Sequence, residues 1–313
     1  LIGKNIWNFF PIISFKNNDV QIADNQKLFI IQNADIDVKK NYWPFSPILI
    51  DIKNAIINYE GMEIRNANIN SQYSNNIFYI KNFTGNSVQG KIYFKGSFDL
   101  DESQPFKLDG NFENISLNTL LKQSKITNWN RVNIKLSSSN FVISGNVKEK
   151  LLLSINGSIP LEGSLYFTTT EEERFGAAFL SLLTEKIPAL KSVSQSIDFL
   201  LANFANIPSS INGTLIVNNG FISSDEIVVR NKTGKFTLKG SYNFIKNNLD
   251  GKLFLYKKNS IFLEASIKGN LQDPQILVDG KNISKKNEEH QDIKKLLEKG
   301  INSFIDKLLS SND

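Results

Sequence analysis

Two distant stretches of this chain repeat one pattern, Gly90-Lys91-Ile92-Tyr93-Phe94-Lys95-Gly96-Ser97-Phe98-Asp99 and Gly234-Lys235-Phe236-Thr237-Leu238-Lys239-Gly240-Ser241-Tyr242-Asn243. Each is followed by a second segment with a shared opening, Leu108-Asp109-Gly110-Asn111-Phe112 and Leu249-Asp250-Gly251-Lys252-Leu253. In both copies an apolar residue or glycine takes every second position, and mostly Lys, Ser, Thr or Asn fill the gaps. That is the period of a strand with one dry and one wet face. The pattern predicts one β-hairpin used twice within a long one-sided sheet.

Strand periodicity extends well beyond the two copies. Residues 1–49 are a weakly patterned lead-in, and Trp43-Pro44-Phe45-Ser46-Pro47 punctuates the chain before the first clear strands. A first β module is expected over 50–168. Within it Leu151, Leu153, Ile155, Gly157, Ile159, Leu161, Gly163, Leu165 and Phe167 hold one odd register, which Pro160 should split into two strands. A helical pair follows over 169–208. Thr170 and Glu173 form a capping box ahead of Phe175, Phe179, Leu182, Leu183 and Ile187, and Leu190, Val193, Ile197, Leu200, Leu201 and Phe204 mark a second amphipathic stretch. A second β module spans 209–280, with turns at Asn219-Gly220 and Asn248 and a run of Ile261, Leu263, Ala265, Ile267, Gly269 and Leu271 in one register. Residues 281–313 comprise a charged linker and an amphipathic helix with Ile293, Leu296, Leu297, Ile301, Phe304, Ile305, Leu308 and Leu309 on one side.

Composition removes most catalytic chemistries. With 313 residues, 41% of them hydrophobic, the chain can bury a core, but it has no cysteine and the single histidine is His290. Thiol catalysis, disulfides, Cys/His zinc sites and histidine-based triads are thereby excluded or nearly so. Asp99, Asp101, Asp109, Asp250 and Asp273 read as turn residues and not as a paired acid and base. The reading is of a non-enzyme with no cofactor and no metal. The net charge of +5 is spread as single lysines along strand faces, without the clustered Arg, Lys and stacking aromatics of nucleic-acid binding. Leu1 to Phe15 is interrupted by Lys4, Asn5, Asn8 and Pro11, short of the roughly 20 apolar residues of a membrane span. Because the first residue is Leu1, an upstream anchor or signal is expected to have been lost.

An antiparallel sheet with one apolar face must cover that face with helices, a second sheet, itself or a ligand. Gly96, Gly110, Gly145, Gly157, Gly163, Gly240, Gly251 and Gly269 lie in the apolar register. Glycine there suits a sharply bent sheet or the close passage of another chain, and equally the bulges and corners of a closed sandwich. If the sheet is an open trough, the residues lining it are Ile92, Phe94, Phe98, Leu151, Leu153, Ile155, Leu165, Phe167, Phe236, Leu238, Tyr242, Ile261, Leu263 and Ile267. Each could equally be ordinary core. A continuous apolar stripe suits acyl chains. At roughly 0.8 kcal/mol per CH2, a sixteen-carbon chain loses about 13 kcal/mol on leaving lipid for water, and a carrier must offset nearly all of it.

The strings Asn219-Gly220-Phe221-Ile222-Ser223, Ile227-Val228-Val229 and Gly269-Asn270-Leu271-Gln272-Asp273-Pro274-Gln275-Ile276, set around the second hairpin copy, resemble the C-terminal region of the AsmA-like proteins of the bacterial envelope, a family that includes TamB and YhdP. The first copy is similar over Ile64 to Ser74, Ile77 to Phe83 and Gly90 to Leu100, so the resemblance covers residues 50–280. It implies an elongated, curled antiparallel sheet with an apolar inner groove. It also implies a periplasmic location with a tether to the inner membrane, and a role in phospholipid transport and outer-membrane maintenance. Phospholipid, and bacterial membranes or envelope proteins at the two ends, are the implied partners, with no nucleic acid. The alternative is a structural or assembly factor for outer-membrane proteins, acting through sheet edges or surface contacts. The C-terminal helix is expected to cap the sheet or dock a partner.

Overall fold

The computed structural model describes residues 12–24, 27–40, 46–59, 62–100, 105–123, 132–146, 151–169, 191–270, 273–278 and 281–282. Within them the chain is mostly strand. The strands are β1 (Ile12–Asp24), β2 (Lys27–Lys40), β3 (Ile48–Tyr59), β4 (Met62–Ser74), β5 (Ile77–Ser87), β6 (Gly90–Asp99), β7 (Pro105–Ser116), β8 (Val132–Asn146), β9 (Asn156–Phe167), β10 (Ser209–Asn218), β11 (Phe221–Arg230), β12 (Lys235–Asn243), β13 (Asn248–Lys257), β14 (Ser260–Asn270), β15 (Asp273–Val278) and β16 (Lys281–Asn282). Helices are few: α1 (Leu117–Gln123), α2 (Leu151–Ser154) and α3 (Lys191–Phe204). Among the described residues the strands follow one antiparallel order that is the order of the chain, β1 through β16, with no pairing between β1 and β16. Expectation and structure agree on a mostly β, antiparallel architecture with few helices.

Three local expectations are corrected. The weakly patterned lead-in holds two long strands, β1 and β2. Leu151 and Leu153 lie in α2, one helical turn, instead of opening a strand. That turn is tied down by Ser154, whose Oγ donates to the Asn146 carbonyl and accepts from the Asn146 N–H, both at 2.8 Å. Finally β9 runs through Pro160 without a break, since a proline removes a single donor and need not end a strand. The first helix of the expected pair and the C-terminal helix over 293–309 lie outside the described residues, whereas the second helix of the pair is α3.

The chain divides into two compact units, Leu1–Gln123 with Ser137–Ile159 and Val217–Gly220, and Ser124–Leu136 with Pro160–Ile216 and Phe221–Asp313. In the first unit a set of asparagine bulges explains why the lead-in hid its strands. Asn17, Asn33, Asn54 and Asn66 all have positive φ, between 51° and 57°, a region asparagine tolerates better than most residues. Each inserts an extra residue into its strand, and the pairing shifts on both sides, from Phe15↔Ile36 to Asn18↔Ala34 to Val20↔Ile31 in β1–β2, and from Ile52↔Ile69 to Ala55↔Ala67 to Ile57↔Ile64 in β3–β4. The two hairpins therefore carry the same reciprocal pair of bulges. Side chains lock them: the Asn17 N–H donates to Asp35 Oδ1 at 3.1 Å, the Asn33 N–H to Asp19 Oδ1 at 3.0 Å and the Asn54 N–H to Asn68 Oδ1 at 3.3 Å. The residues after three of these asparagines, Ala34, Ala55 and Ala67, are fully buried. A bulge bends its strand and strengthens its twist, and it moves the following residues to the other face. Hence Ile31 and Ala34, or Ile52 and Ala55, share the dry side despite odd spacing.

The two hairpin copies keep a common bulge too. In β5–β6 the register shifts between Ile80↔Gly96 and Phe83↔Phe94, and in β11–β12 between Ser224↔Gly240 and Ile227↔Leu238, the same place relative to each copy. The following strands differ, because Gly110 opposes Phe94 whereas Gly251 opposes Gly240.

Turn chemistry agrees with geometry at Asn75-Asn76 and Asn219-Gly220, where both central residues have positive φ. It disagrees at Val88-Gln89, with φ of 43° and 69°, where a β-branched residue occupies the left-handed region. Replacing this pair with Asn-Gly is expected to raise stability by about 1 kcal/mol, and Asn54→Val to lower it by about 1–2 kcal/mol while Asn54→Gly stays near neutral. Thermal melts of the three variants check both directions.

Candidate functional site

The dry face of the first unit is laid out in rows across β5, β6 and β7. Cross-strand partners align Phe78–Phe98–Phe106, Ile80–Gly96–Leu108, Phe83–Phe94–Gly110 and Gly85–Ile92–Phe112. Phe83 stacks on Phe94 with ring centroids 4.2 Å apart, Phe98 on Phe106 at 5.7 Å, and Phe112 meets Phe141 of β8 at 6.2 Å. Such aromatic pairs contribute about 0.5–1.5 kcal/mol beyond their burial. The glycines in these rows answer the question their register poses. A Cβ at Gly110 would stand 2.1 Å from the Tyr93 carbonyl oxygen and 2.7 Å from the Phe94 Cα, so what passes close is the neighbouring strand. The unit's buried cluster, Ile31, Ala34, Ala55, Ile57, Ala67, Ile80 and Phe83, and the half-buried residues packed on it, Phe94 and Phe98 among them, come entirely from strands.

The second unit has matching rows across β11 to β14: Ile222–Tyr242–Leu249–Gly269, Ser224–Gly240–Gly251–Ile267, Ile227–Leu238–Leu253–Ala265 and Val229–Phe236–Leu255–Leu263. Here a helix covers part of the face. Phe204, at the end of α3, is fully buried and meets the Phe236 ring edge-on at 4.8 Å, while Phe199 and Leu200 pack on the same cluster. The last carbonyls of a helix lack partners within it. The β11–β12 turn supplies them, for Asn231 Nδ2 and Thr233 Oγ1 both donate to the Asn203 carbonyl, at 2.7 and 2.9 Å. Asn231 Oδ1 in turn accepts from the N–H groups of Thr233 and Gly234, which fixes the turn.

Against this geometry the fourteen candidate lining residues separate. Ile92, Phe94 and Phe98 share the first unit's dry face and are half-buried. Leu153 and Ile155 are half-buried at and just after α2, and the side chain of Leu151 lies outside the described residues. Leu165, Phe236 and Leu263 are buried members of the second unit's core; Phe167 and Leu238 pack against it, and Ile267 is half-buried. Tyr242 donates its hydroxyl to Asn247 Oδ1 at 2.8 Å, and burial pushes its pKa above the ordinary tyrosine value. Ile261 departs from expectation. Pairing runs Leu255↔Leu263 but Tyr256↔Ile261, so a bulge at Phe262 sends Ile261 to the opposite face, where it is 53% exposed. The missed residues, Phe78, Phe83, Phe106 and Phe112, were visible in sequence only as separate runs. The bulge in β5 brings Phe78 and Phe83 to one face, and Phe106 and Phe112 join them by pairing with Phe98 and Ile92.

The rows offer mainly apolar contact; of their polar side chains Ser224 donates its hydroxyl to the Thr214 carbonyl at 2.7 Å and Tyr242 donates to Asn247. Among the described residues no group of three His, Asp or Glu side chains is placed to hold a metal, and no helix is long and apolar enough to cross a membrane. The bulge at Phe262 yields a direct test. Ile261→Asp is expected to change stability by no more than about 0.5 kcal/mol, while Leu263→Asp, two positions on, leaves an unpaired charge in the core and costs about 3–5 kcal/mol. Urea unfolding followed by circular dichroism measures both. Comparison with protein-family models, with curated proteins and with solved structures found no match to this chain.

Proposed function

We propose that this chain is a bacterial envelope protein that holds phospholipid acyl chains against the dry face of its sheet, for transport between membranes and maintenance of the outer membrane. The observation that carries this reading is the set of aligned apolar rows on β5 to β7, whose associated cluster, among the described residues, comes from strands. Acyl chains need continuous, non-directional apolar contact, and such rows supply it without a polar pocket. A bulge bends its strand, so the asparagine bulges of β1 to β4 favour a curled sheet over a flat one. The resemblance of residues 50–280 to AsmA-like proteins points the same way. On this reading Ile92, Phe94 and Phe98 line the groove, the protein works in the periplasm with a tether to the inner membrane, and membranes or envelope proteins meet its two ends.

A second reading, an assembly factor that pairs with outer-membrane proteins by strand addition, is favoured by β1. Among the described residues this strand of 13 residues has one hydrogen-bonded neighbour, β2, in the sheet order.

Mass spectrometry of organic extracts from gently purified protein separates the two. Phospholipid in stoichiometric amount is expected, with loss in Phe94→Asp and Phe98→Asp. Tyr79→Asp, on the opposite face beside Ser97, should retain it. A folded wild-type protein free of lipid would sink the lipid reading and favour strand addition.

A further inference from the structure

The two hairpin copies share a bulge but set opposite charge around it on the wet face. In the first copy the register shift between Ile80↔Gly96 and Phe83↔Phe94 places Lys81 and Asn82 against Lys95, while Ser97 pairs with Lys107 and Lys95 with Asp109. In the second, Asp225 and Glu226 stand against Lys239, Ser241 pairs with Asp250 and Lys239 with Lys252. Three lysines thus face one aspartate in the first copy, and two lysines face three acids in the second. The second copy answers its charges locally, Lys239 with Asp225 at 3.5 Å, Lys252 with Glu264, and Asp250 opposite Lys268. In the first, Lys95 has Asp109 at 3.7 Å, but neither Lys81 nor Lys107 has an ion pair among the described residues.

The three lysines and Asp109 line one hollow of about 560 Å3. Tyr79 and Ser97, cross-strand neighbours on its floor, add hydroxyls, and Gln72, paired with Tyr79, adds an amide. Asp99 does not line the hollow; Asp51, in the same row as Asn82 but two strands away, is engaged by Asn70. A concave site with an excess of one charge and neutral donors between favours a compact anion, and lysine binds phosphate as a point charge. We infer that this hollow on the wet face of the first unit binds a phosphate group. Lys81, Lys95 and Lys107 supply the charge, and the Tyr79 and Ser97 hydroxyls donate to its oxygens. The site lies on the face opposite the apolar rows and does not depend on the lipid-binding reading.

The test is brief acetylation of the full chain by an N-hydroxysuccinimide ester, with peptide mass spectrometry to read each lysine. It is run in sodium chloride, in sodium phosphate of equal ionic strength, and beside phosphatidylglycerol vesicles in chloride. Protection of Lys81, Lys95 and Lys107 is expected, with Lys239 and Lys252 unchanged. Protection by free phosphate marks a soluble ligand, and protection by the vesicles alone marks a lipid headgroup. Lys81→Gln and Lys107→Gln should each raise the concentration of the protecting probe that half-protects Lys95 by about three- to tenfold. Asp109→Asn should lower it, a direction that a merely structural role would not produce. Equal protection of Lys239 overturns the site, since the ions would then be acting on every lysine alike. No protection by either probe also overturns it, and that reading uses the wild-type protein, so it does not turn on how a variant folds. Half-protection of Lys95 unmoved in both lysine variants does the same.

Discussion

A strand with one dry side cannot stay in water alone, and every feature of this molecule answers to that constraint. Apolar surface left in water costs about 25 cal/mol per Å2, so a sheet of many strands must either fold its dry face away or hand it to something else. The two units answer differently. In the second, a helix is laid over one end of the face with its own Phe204 fully hidden, and the residues beneath it, Leu255 among them, reach the burial of an ordinary core. In the first, among the described residues, strands build the buried cluster, with fully buried alanines at the bulges.

The hairpin copies, the amphipathic helix ending at Phe204 and the turn at Asn219-Gly220 were all legible in sequence, because each depends on a period or a turn signal that stays local. The bulges were not. Alternation is a rule about faces only while the register is unbroken, and one extra residue reverses it. Two pairs mislead in opposite directions for this reason. Ile31 and Ala34 are out of phase by spacing yet share a face, whereas Ile261 and Leu263 are in phase by spacing yet lie on opposite faces. A usable signal was present in Asn33-Ala34, Asn54-Ala55 and Asn66-Ala67, each an asparagine before a small residue at the point where the apolar register changes parity. General enrichment in asparagine hid it.

The candidate site shows the same limit. Individual residues such as Phe94 and Phe98 could be picked from periodicity, but their partners Phe83 and Phe106 come into line only through pairing across strands. Periodicity also could not say which apolar positions a helix would cover. That depended on Asn231 and Thr233, two polar turn residues far from Asn203 in sequence, that satisfy the carbonyl at the helix end.

The strand order has a kinetic meaning. Because every strand lies beside its neighbours in the chain, most pairings close short loops, and the entropy of closure is met in small steps. Folding can start at whichever hairpin forms first and spread outward strand by strand, as in repeat proteins whose units contact only their neighbours. Lengthening such a protein by another hairpin would leave the existing pairings intact, so its reach can change in evolution without a new fold.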